Sequence, residues 1–125
     1  MKTIKVSEAT NLQLNWLVAK IEGFSPQIRL SDTGISVWID DYNMSLYTER
    51  WAQGGPIIER ELISLAQQQQ HDWVASLSHA KEVAYTDGVA RRFCTMRGVT
   101  PLVAAMRCYV ASKLGNEVDI PKELE

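Results

Sequence analysis

The sequence predicts an α+β domain, in which an N-terminal and a C-terminal helix pack against an antiparallel sheet in an α/β/α sandwich-like arrangement. Two observations support this fold class. Apolar residues recur at helical spacing near both ends of the chain, and between them short alternating runs are separated by turn sequences. No repeat or linker divides the 125 residues, so we expect a single domain, 1–125.

The chain begins with a short edge strand and a helix. Ile4 and Val6 alternate with polar residues, and Ser7 or Thr10 then caps the helix. The apolar positions of this helix recur at near-helical spacing, at Leu12, Trp16, Leu17 and Ile21. Gly23 marks its end.

The middle of the chain reads as hairpins around one short helix. Residues 28–38 are strand-like, with a turn at Asp32-Thr33-Gly34, and Asp40–Asn43 is a loop. In Gly54-Gly55-Pro56, the proline suits the first position of a short helix or turn. A strand then begins around Leu62, Ile63 and Leu65, and Gln67–Gln70 is expected to connect it to the next one. The later alternating positions predict a second hairpin, namely Trp73, Ala75 and Leu77, then Val83 and Tyr85 before a turn at Asp87-Gly88.

The last helix is the clearest element. Thr100 is a good cap, Pro101 fits the first helical position, and Gly115 ends the helix after Leu114. One face carries large apolar side chains, Leu102, Met106, Tyr109 and Val110, and another carries small ones, Ala104, Cys108, Ala111 and Ser112. We expect one face to lie on the sheet and the small face to accept a second helix or another subunit, as in a homo-oligomer.

Composition excludes several classes of protein. No run approaches the ~18 apolar residues of a membrane span, and the start of the chain lacks a secretion signal, so we expect a cytoplasmic protein. A net charge of −2 argues against a protein that coats nucleic acid. The two cysteines, Cys94 and Cys108, and the two histidines, His71 and His79, are too scattered for a zinc centre. We expect no cofactor, no metal and no catalytic motif.

The charge is unevenly distributed. Residues 1–87 carry a net −4, residues 88–115 a net +5 and residues 116–125 a net −3. The positive segment contains Arg91, Arg92, Arg97, Arg107 and Lys113. These groups either pair with acids elsewhere, such as Glu117 and Asp119, or attract a small anion.

Arg107 is the first candidate for ligand binding, because it is the one charged residue inside an otherwise apolar helix. A buried guanidinium needs an anion, which is either a carboxylate of this or a neighbouring chain or a ligand phosphate. Lys113, two turns further along, extends such a site or lies exposed at the helix end. Thr100, at the start of the same helix, is a further candidate for ligand binding.

The second candidate is the segment that contains Trp51, Gln53, Gly54 and Gly55. Glycines allow a ligand close to backbone N–H groups, a helix start favours negative charge, and Trp51 offers a flat face for a base. Arg60 lies close enough in sequence to assist, or is simply exposed. Trp16 is a second stacking candidate, although a tryptophan on an apolar helix face more often belongs to the core.

Several segments resemble the NinX-like proteins of tailed phages, a family of unknown function encoded among accessory genes. The resemblance is carried by Lys5–Glu8, Leu14–Lys20, Trp51–Glu61 and Thr100–Gly115. The order of elements is also similar to the ABA-sandwich domain of phage anti-Thoeris proteins, which sequester nucleotide-type immune signals at a subunit interface. That similarity implies a ligand-binding role for Arg107 and for Trp16.

The leading hypothesis is therefore a phage-encoded, non-enzymatic and oligomeric protein that sequesters a nucleotide-derived signal of host defence, of the cyclic-nucleotide or ADP-ribose type. The alternative is an accessory protein that binds nucleic acid or a replication or recombination partner. Against nucleic acid, Thr100–Met106 carries no charge where phosphate contacts would be expected. A small hydrolase of signalling nucleotides is a third hypothesis.

Overall fold

A computed structural model describes residues 1–78 and 93–125 of the chain. Its helices are α1 (Asn11–Ile21), α2 (Trp51–Glu61) and α3 (Pro101–Leu114). Its strands are β1 (Lys2–Lys5), β2 (Gln27–Ser31), β3 (Gly34–Trp38), β4 (Ser64–Gln69), β5 (Asp72–Ser78), β6 (Phe93–Gly98) and β7 (Glu117–Ile120). The α+β fold class is confirmed.

The strands form three small antiparallel sheets instead of the single sheet expected. One sheet has the order β4-β5-β6, β2 and β3 form a hairpin, and β1 pairs with β7. The last pairing places Ile4 opposite Val118 and so joins the two ends of the described chain. Strand β7 was not predicted, because a segment of four residues with two apolar positions is too short to distinguish from a loop.

Helix α3 lies at the centre of the fold, with the three-stranded sheet on one side and α1 and α2 on the other. Its small side chains face the sheet, where the Cys108 thiol donates a hydrogen bond to the Cys94 carbonyl at 3.3 Å. A Cβ atom on Gly98 of β6 would lie 2.5 Å from the Ala104 nitrogen, so a glycine is needed for this close approach. The small face therefore meets the chain's own sheet, and neither a second helix nor another subunit covers it.

The caps of α1 and α3 agree with the sequence. Thr10, not Ser7, caps α1 and forms a capping box with Gln13. The Thr100 hydroxyl accepts a hydrogen bond from the Val103 nitrogen at 3.1 Å and caps α3. Both helices begin where local side-chain chemistry satisfies their free N–H groups.

The predicted start of the middle helix is wrong. Helix α2 begins at Trp51, so Pro56 lies inside the helix instead of at its first position. Two glycines and a proline are poor helix formers, but tertiary contacts stabilise this first turn. The Gln53 side chain accepts a hydrogen bond from the Leu46 nitrogen at 2.7 Å and donates one to the Met44 carbonyl at 2.9 Å. Packing therefore overrides the weak intrinsic propensity.

The loop before α2 is also fastened to α1. Asn15 is buried in α1, and its side-chain oxygen accepts hydrogen bonds from the nitrogen and the hydroxyl of Thr48. The Ser45 hydroxyl donates to the Asn15 carbonyl at 2.7 Å. These buried hydrogen bonds fix where α2 begins relative to α1.

Two further predictions concern the strands that follow α2. The segment Gln67–Gln70 is largely strand instead of a connection, because β4 continues to Gln69 and the turn falls at Gln70 and His71. The glutamine side chains of this strand are exposed, so a polar run is compatible with pairing to β5. The expected pair Val83 and Tyr85, the turn at 87–88 and Arg91 and Arg92 lie outside the described residues.

Candidate functional site

The N-termini of the three helices lie close together, and so do their C-termini. Asn11, Trp51 and Pro101, the first residues of α1, α2 and α3, all line one groove of about 440 Å³. At the opposite end, the last turns of the helices share a cluster of ion pairs. The helices therefore run in roughly the same direction. We call the first region the helix-start groove, formed by Asn11, Thr48, Glu49, Trp51 and Val99–Val103.

The helix-start groove brings together two of the predicted site residues, Trp51 and Thr100. Trp51 is 53% exposed, so one part of its ring system is open to a ligand. The Thr100 hydroxyl is engaged in capping α3, but the threonine still lines the groove. Val99, which is 62% exposed, adds an apolar wall. The groove therefore combines a flat aromatic surface with three helix N-termini.

The other candidates from the glycine segment have structural contacts. Gln53 holds the loop at Met44 and Leu46. Gly54 is buried, and a Cβ atom there would lie 2.6 Å from the Tyr47 carbonyl oxygen. Gly55 follows in the same helical turn. The structure therefore places these three residues inside or beneath α2, and the segment reaches the groove through Trp51.

Arg107 lies close behind the groove. Its Nη1 donates to the Arg97 carbonyl at 2.8 Å and its Nη2 donates to the Ala9 carbonyl at 2.9 Å. Ala9 and Arg97 are each two residues from a groove residue, and Val103 of the groove is one helical turn before Arg107 on α3. The guanidinium therefore bridges α3, β6 and the chain before α1.

The charge of Arg107 has no counter-ion in the described part of the chain. Among residues 1–78 and 93–125, both of its hydrogen-bond acceptors are neutral carbonyls, and its buried Nε has no hydrogen-bond partner. Burial lowers the pKa of Arg107, because desolvation penalises its charged form. In residues 1–78 and 93–125, therefore, no carboxylate is paired with this positive charge.

Arg60 and Lys113 lie at the opposite end of the helices, in a group that we call the C-terminal ion cluster, formed by Glu22, Arg60, Glu61, Tyr109 and Lys113. Arg60 donates to both Glu22 oxygens, at 2.8 and 3.1 Å, and to Glu61 at 3.0 Å. Lys113 lies 3.4 Å from the other Glu61 oxygen. Carboxylates thus neutralise both cations, and neither lines the groove that contains Trp51.

The C-terminal ion cluster shifts the pKa values of its members. Burial raises the pKa of Glu22, but hydrogen bonds from Arg60 and Tyr109 outweigh burial and lower it below its ordinary value. Burial and a 2.5 Å hydrogen bond to Glu22 raise the pKa of Tyr109. Hydrogen bonds to Glu22 and Glu61 raise the pKa of Arg60. Glu22 and Arg60 therefore stay ionised and Tyr109 stays protonated over the ordinary pH range, which suits a structural link between helix ends.

Trp16 lies in a third location. It lines a separate groove of about 480 Å³ together with Lys20, Leu114 and other residues. The Lys20 ammonium lies 5.6 Å from the centre of its ring, at the distance of a cation–π contact. The structure therefore offers Trp51 and Trp16 as members of two different grooves, and only Trp51 is close to the helix starts.

Three contributors to these sites were not identified from the sequence. Glu22 and Tyr109 hold Arg60, but a helix-end acid and a helical tyrosine give no local signal of a shared cluster. Asn11 was not predicted, because its position in the groove depends on how α1 and α3 pack.

No group of three or more metal-binding side chains occurs in the described ranges 1–78 and 93–125. Within the same ranges, every helix is too short or too polar to cross a bilayer. A comparison with curated proteins gave no match.

A family model does match the chain. The model for the NinX protein of bacteriophage P22 covers residues 5–113. This range includes α1, α2, α3 except its last residue, and strands β2 to β6. The matched range contains Trp51, Thr100 and Arg107, together with the C-terminal ion cluster. The chain therefore belongs to the phage P22 NinX family.

Proposed function

We propose that this phage protein is a non-enzymatic binder of a small phosphorylated ligand, which it holds in the helix-start groove. The finer proposal is that the ligand is a nucleotide-derived signal of host anti-phage defence, sequestered in the cytoplasm of the bacterial host. The observation that carries the proposal is the convergence of three helix N-termini beside an exposed tryptophan in one groove. Its volume of about 440 Å³ suits a small ligand.

The electrostatics of the groove favour an anion. Each helix N-terminus carries roughly half a positive charge from its aligned peptide dipoles. Arg107 adds a full positive charge one helical turn behind Val103, with no carboxylate against it in the described residues. Together these groups support binding of a phosphate.

The aromatic wall supports a nucleotide over a bare phosphate. The exposed ring of Trp51 provides a stacking surface for a base, and such stacking contributes ~1–3 kcal/mol per base. Glu49 also lines the groove, and its carboxylate repels phosphate. The phosphates are therefore expected on the side of Asn11 and Thr100, with the base toward Trp51.

The proposed homo-oligomer cannot use the small face of α3, because the chain's own sheet covers it. If copies associate, they use another surface. Sedimentation of the purified protein measures the oligomeric state directly, and the ligand proposal for the groove stands on a single chain.

The test is isothermal titration of the folded protein against cyclic dinucleotides, cyclic and linear ADP-ribose isomers, and inorganic phosphate as a minimal anion. We expect saturable binding of at least one nucleotide that is weakened about 10-fold or more by Trp51→Ala. Tyr42→Ala is the matched control, because Tyr42 is 89% exposed and does not line the groove. Chromatography of ligand released by denaturation should return it unchanged.

Three results would overturn the proposal. A folded sample that binds nothing in the panel removes the ligand site, and a changed ligand after release indicates a hydrolase. Salt-dependent gel shifts with duplex or single-stranded oligonucleotides, without binding of small nucleotides, would instead favour the alternative of a nucleic-acid accessory protein.

A further inference from the structure

The two cysteines of the chain are far apart in sequence but meet between β6 and α3. Cys94 lies on β6, opposite the buried Leu77 of β5, so its side chain points to the face that α3 covers. Cys108 is fully buried on α3, and its thiol donates to the Cys94 carbonyl at 3.3 Å. Both are free thiols. This pair was not predicted, because the spacing of the two cysteines matches no known thiol motif.

The backbones of β6 and α3 come unusually close one helical turn from the cysteines. The Ala104 nitrogen lies only 2.5 Å from where a Cβ atom of Gly98 would be. The tight approach of α3 to β6 brings the Cys108 Sγ to 3.3 Å from the Cys94 carbonyl, on the face to which the Cys94 side chain points. A disulfide requires such closely spaced backbones, because its two Cα atoms lie only ~4.4–6.8 Å apart.

The two thiols differ in access and in acidity. Cys94 is partly exposed and lines a groove of about 550 Å³ that also contains Lys5, Ser7 and Glu117. The neighbouring Cys108 side chain lowers the pKa of Cys94. The neighbouring Cys94 side chain, together with burial, raises the pKa of Cys108. Because the thiolate is the nucleophile, Cys94 is the thiol that reacts first.

We propose that Cys94 is a peroxide-sensitive thiol and that Cys108 resolves its oxidised form into an intramolecular disulfide between β6 and α3. In the first step, the Cys94 thiolate attacks one peroxide oxygen, the O–O bond breaks, and sulfenic acid and hydroxide are formed. In the second step, the Cys108 sulfur attacks the Cys94 sulfur. The S–O bond breaks, the S–S bond forms, and the Cys108 proton leaves with the hydroxyl as water. Two thiols are oxidised and one peroxide is reduced.

The chain provides a clean readout. Trypsin cleaves after Arg92, Arg97, Arg107 and Lys113, so the two cysteines fall into separate peptides, 93–97 and 108–113. The folded protein is treated with a small excess of hydrogen peroxide, its remaining thiols are blocked with N-ethylmaleimide, and it is digested without reduction. We expect the two peptides to appear joined, and to separate again on treatment with dithiothreitol.

Two variants identify the order of events. With Cys108→Ala, we expect Cys94 to accumulate as sulfenic acid that dimedone labels, whereas the wild-type protein accumulates little. With Cys94→Ser, we expect Cys108 to resist both peroxide and maleimide until the protein is unfolded. Circular dichroism checks that each variant folds, and the joined peptides of the wild-type protein test the proposal even if a variant does not.

The proposal is overturned if peroxide leaves both thiols free, if only disulfides between two chains form, or if Cys108 is modified before Cys94. It is also overturned if Cys94 proceeds to sulfinic acid in the wild-type protein without joined peptides. None of these outcomes depends on a ligand in the helix-start groove.

Discussion

At Gly54 the backbone of α2 comes so close to its neighbours that no side chain fits. A Cβ atom there would lie 2.6 Å from the Tyr47 carbonyl oxygen and 2.7 Å from a Leu102 methyl carbon. The leucine can move, but the carbonyl belongs to the fixed loop before α2. At the next residue, Gly55, the nearest atom to an added Cβ would be in the Trp51 ring, at an ordinary 3.7 Å.

We therefore expect Gly54→Ala to lower the free energy of unfolding by about 1–3 kcal/mol, because the added methyl group forces α2 away from the loop. Gly55→Ala is the matched control and should raise the free energy of unfolding by about 0.5–1 kcal/mol, because alanine is the better helix former. Urea denaturation of both variants measures the difference. Equal effects of the same sign would show that α2 does not pack in this way.

Arg107 shows, at the same scale, what a sequence leaves open. An arginine within an apolar helix predicted a buried charge in need of an anion. In the structure, two backbone carbonyls accept its hydrogen bonds and no carboxylate of the described residues is paired with it. Its partners, Ala9 and Arg97, come from two other elements, so helix periodicity had no means of predicting them.

At the scale of elements, the caps decide where helices begin. The Thr10 hydroxyl accepts from the Gln13 nitrogen at 3.3 Å, while the Gln13 side chain accepts from the Thr10 nitrogen at 2.9 Å. Gln13 also donates to the Leu124 carbonyl at 2.8 Å, which ties the end of the chain to the start of α1. The cap therefore connects local helix formation with the tertiary structure.

Replacing Thr10 by alanine should lower the free energy of unfolding by about 1 kcal/mol, because one end of the capping box is lost. Ser7→Ala serves as the control, since Ser7 is exposed and does not cap α1, and it should change the free energy of unfolding by less than about 0.5 kcal/mol. Thermal or urea unfolding compares the two. A larger effect at Ser7 than at Thr10 would contradict the observed cap.

At the scale of the whole molecule, the parallel course of the three helices separates two electrostatic environments. The N-terminal ends meet at the helix-start groove, and nearby on α3 lies Arg107, which has no carboxylate partner among the described residues. The C-terminal ends meet at the C-terminal ion cluster, where Arg60 and Lys113 are neutralised by carboxylates. The parallel helices thus explain why an anion is expected at their N-terminal ends. They also explain why the cations and carboxylates at their C-terminal ends are paired with one another.

The C-terminal ion cluster predicts a pH dependence of stability. The pKa of Glu22 lies below its ordinary value of 4.5 in the folded protein, so its carboxylate stabilises the fold at higher pH. This stabilisation is lost as the pH falls through the lowered pKa, because the unfolded chain takes up the proton first. The pKa of Glu61 is lowered in the same way, with burial opposed by Arg60 and Lys113.

We expect the difference in unfolding free energy between the wild-type protein and Glu22→Gln to be largest near neutral pH. It should shrink as the pH falls from the ordinary glutamate value of 4.5 through the lowered pKa of Glu22. Urea denaturation across this range measures it, and acids outside the cluster titrate equally in both proteins. A difference that is constant with pH would show that the Glu22 charge makes no contribution.

The sequence by itself determined the features that depend on residues close together in the chain. The limits of α3 follow from Thr100, Pro101 and Gly115, and the hairpin of β2 and β3 from its turn residues, because caps and turns involve neighbours in the chain. The family resemblance likewise came from the residues alone. Trp51 was a candidate because of its flat aromatic face, and Thr100 because it lies at the start of α3.

Only the tertiary structure decided which candidates share a site. It separated Arg60 and Lys113 from Trp51, placed Trp16 in another groove, and moved the start of α2 to Trp51. It also brought Cys94 to Cys108 and β7 to β1. These outcomes depend on contacts between residues distant in the chain, where burial and close packing outweigh the weak propensities that a local pattern reports.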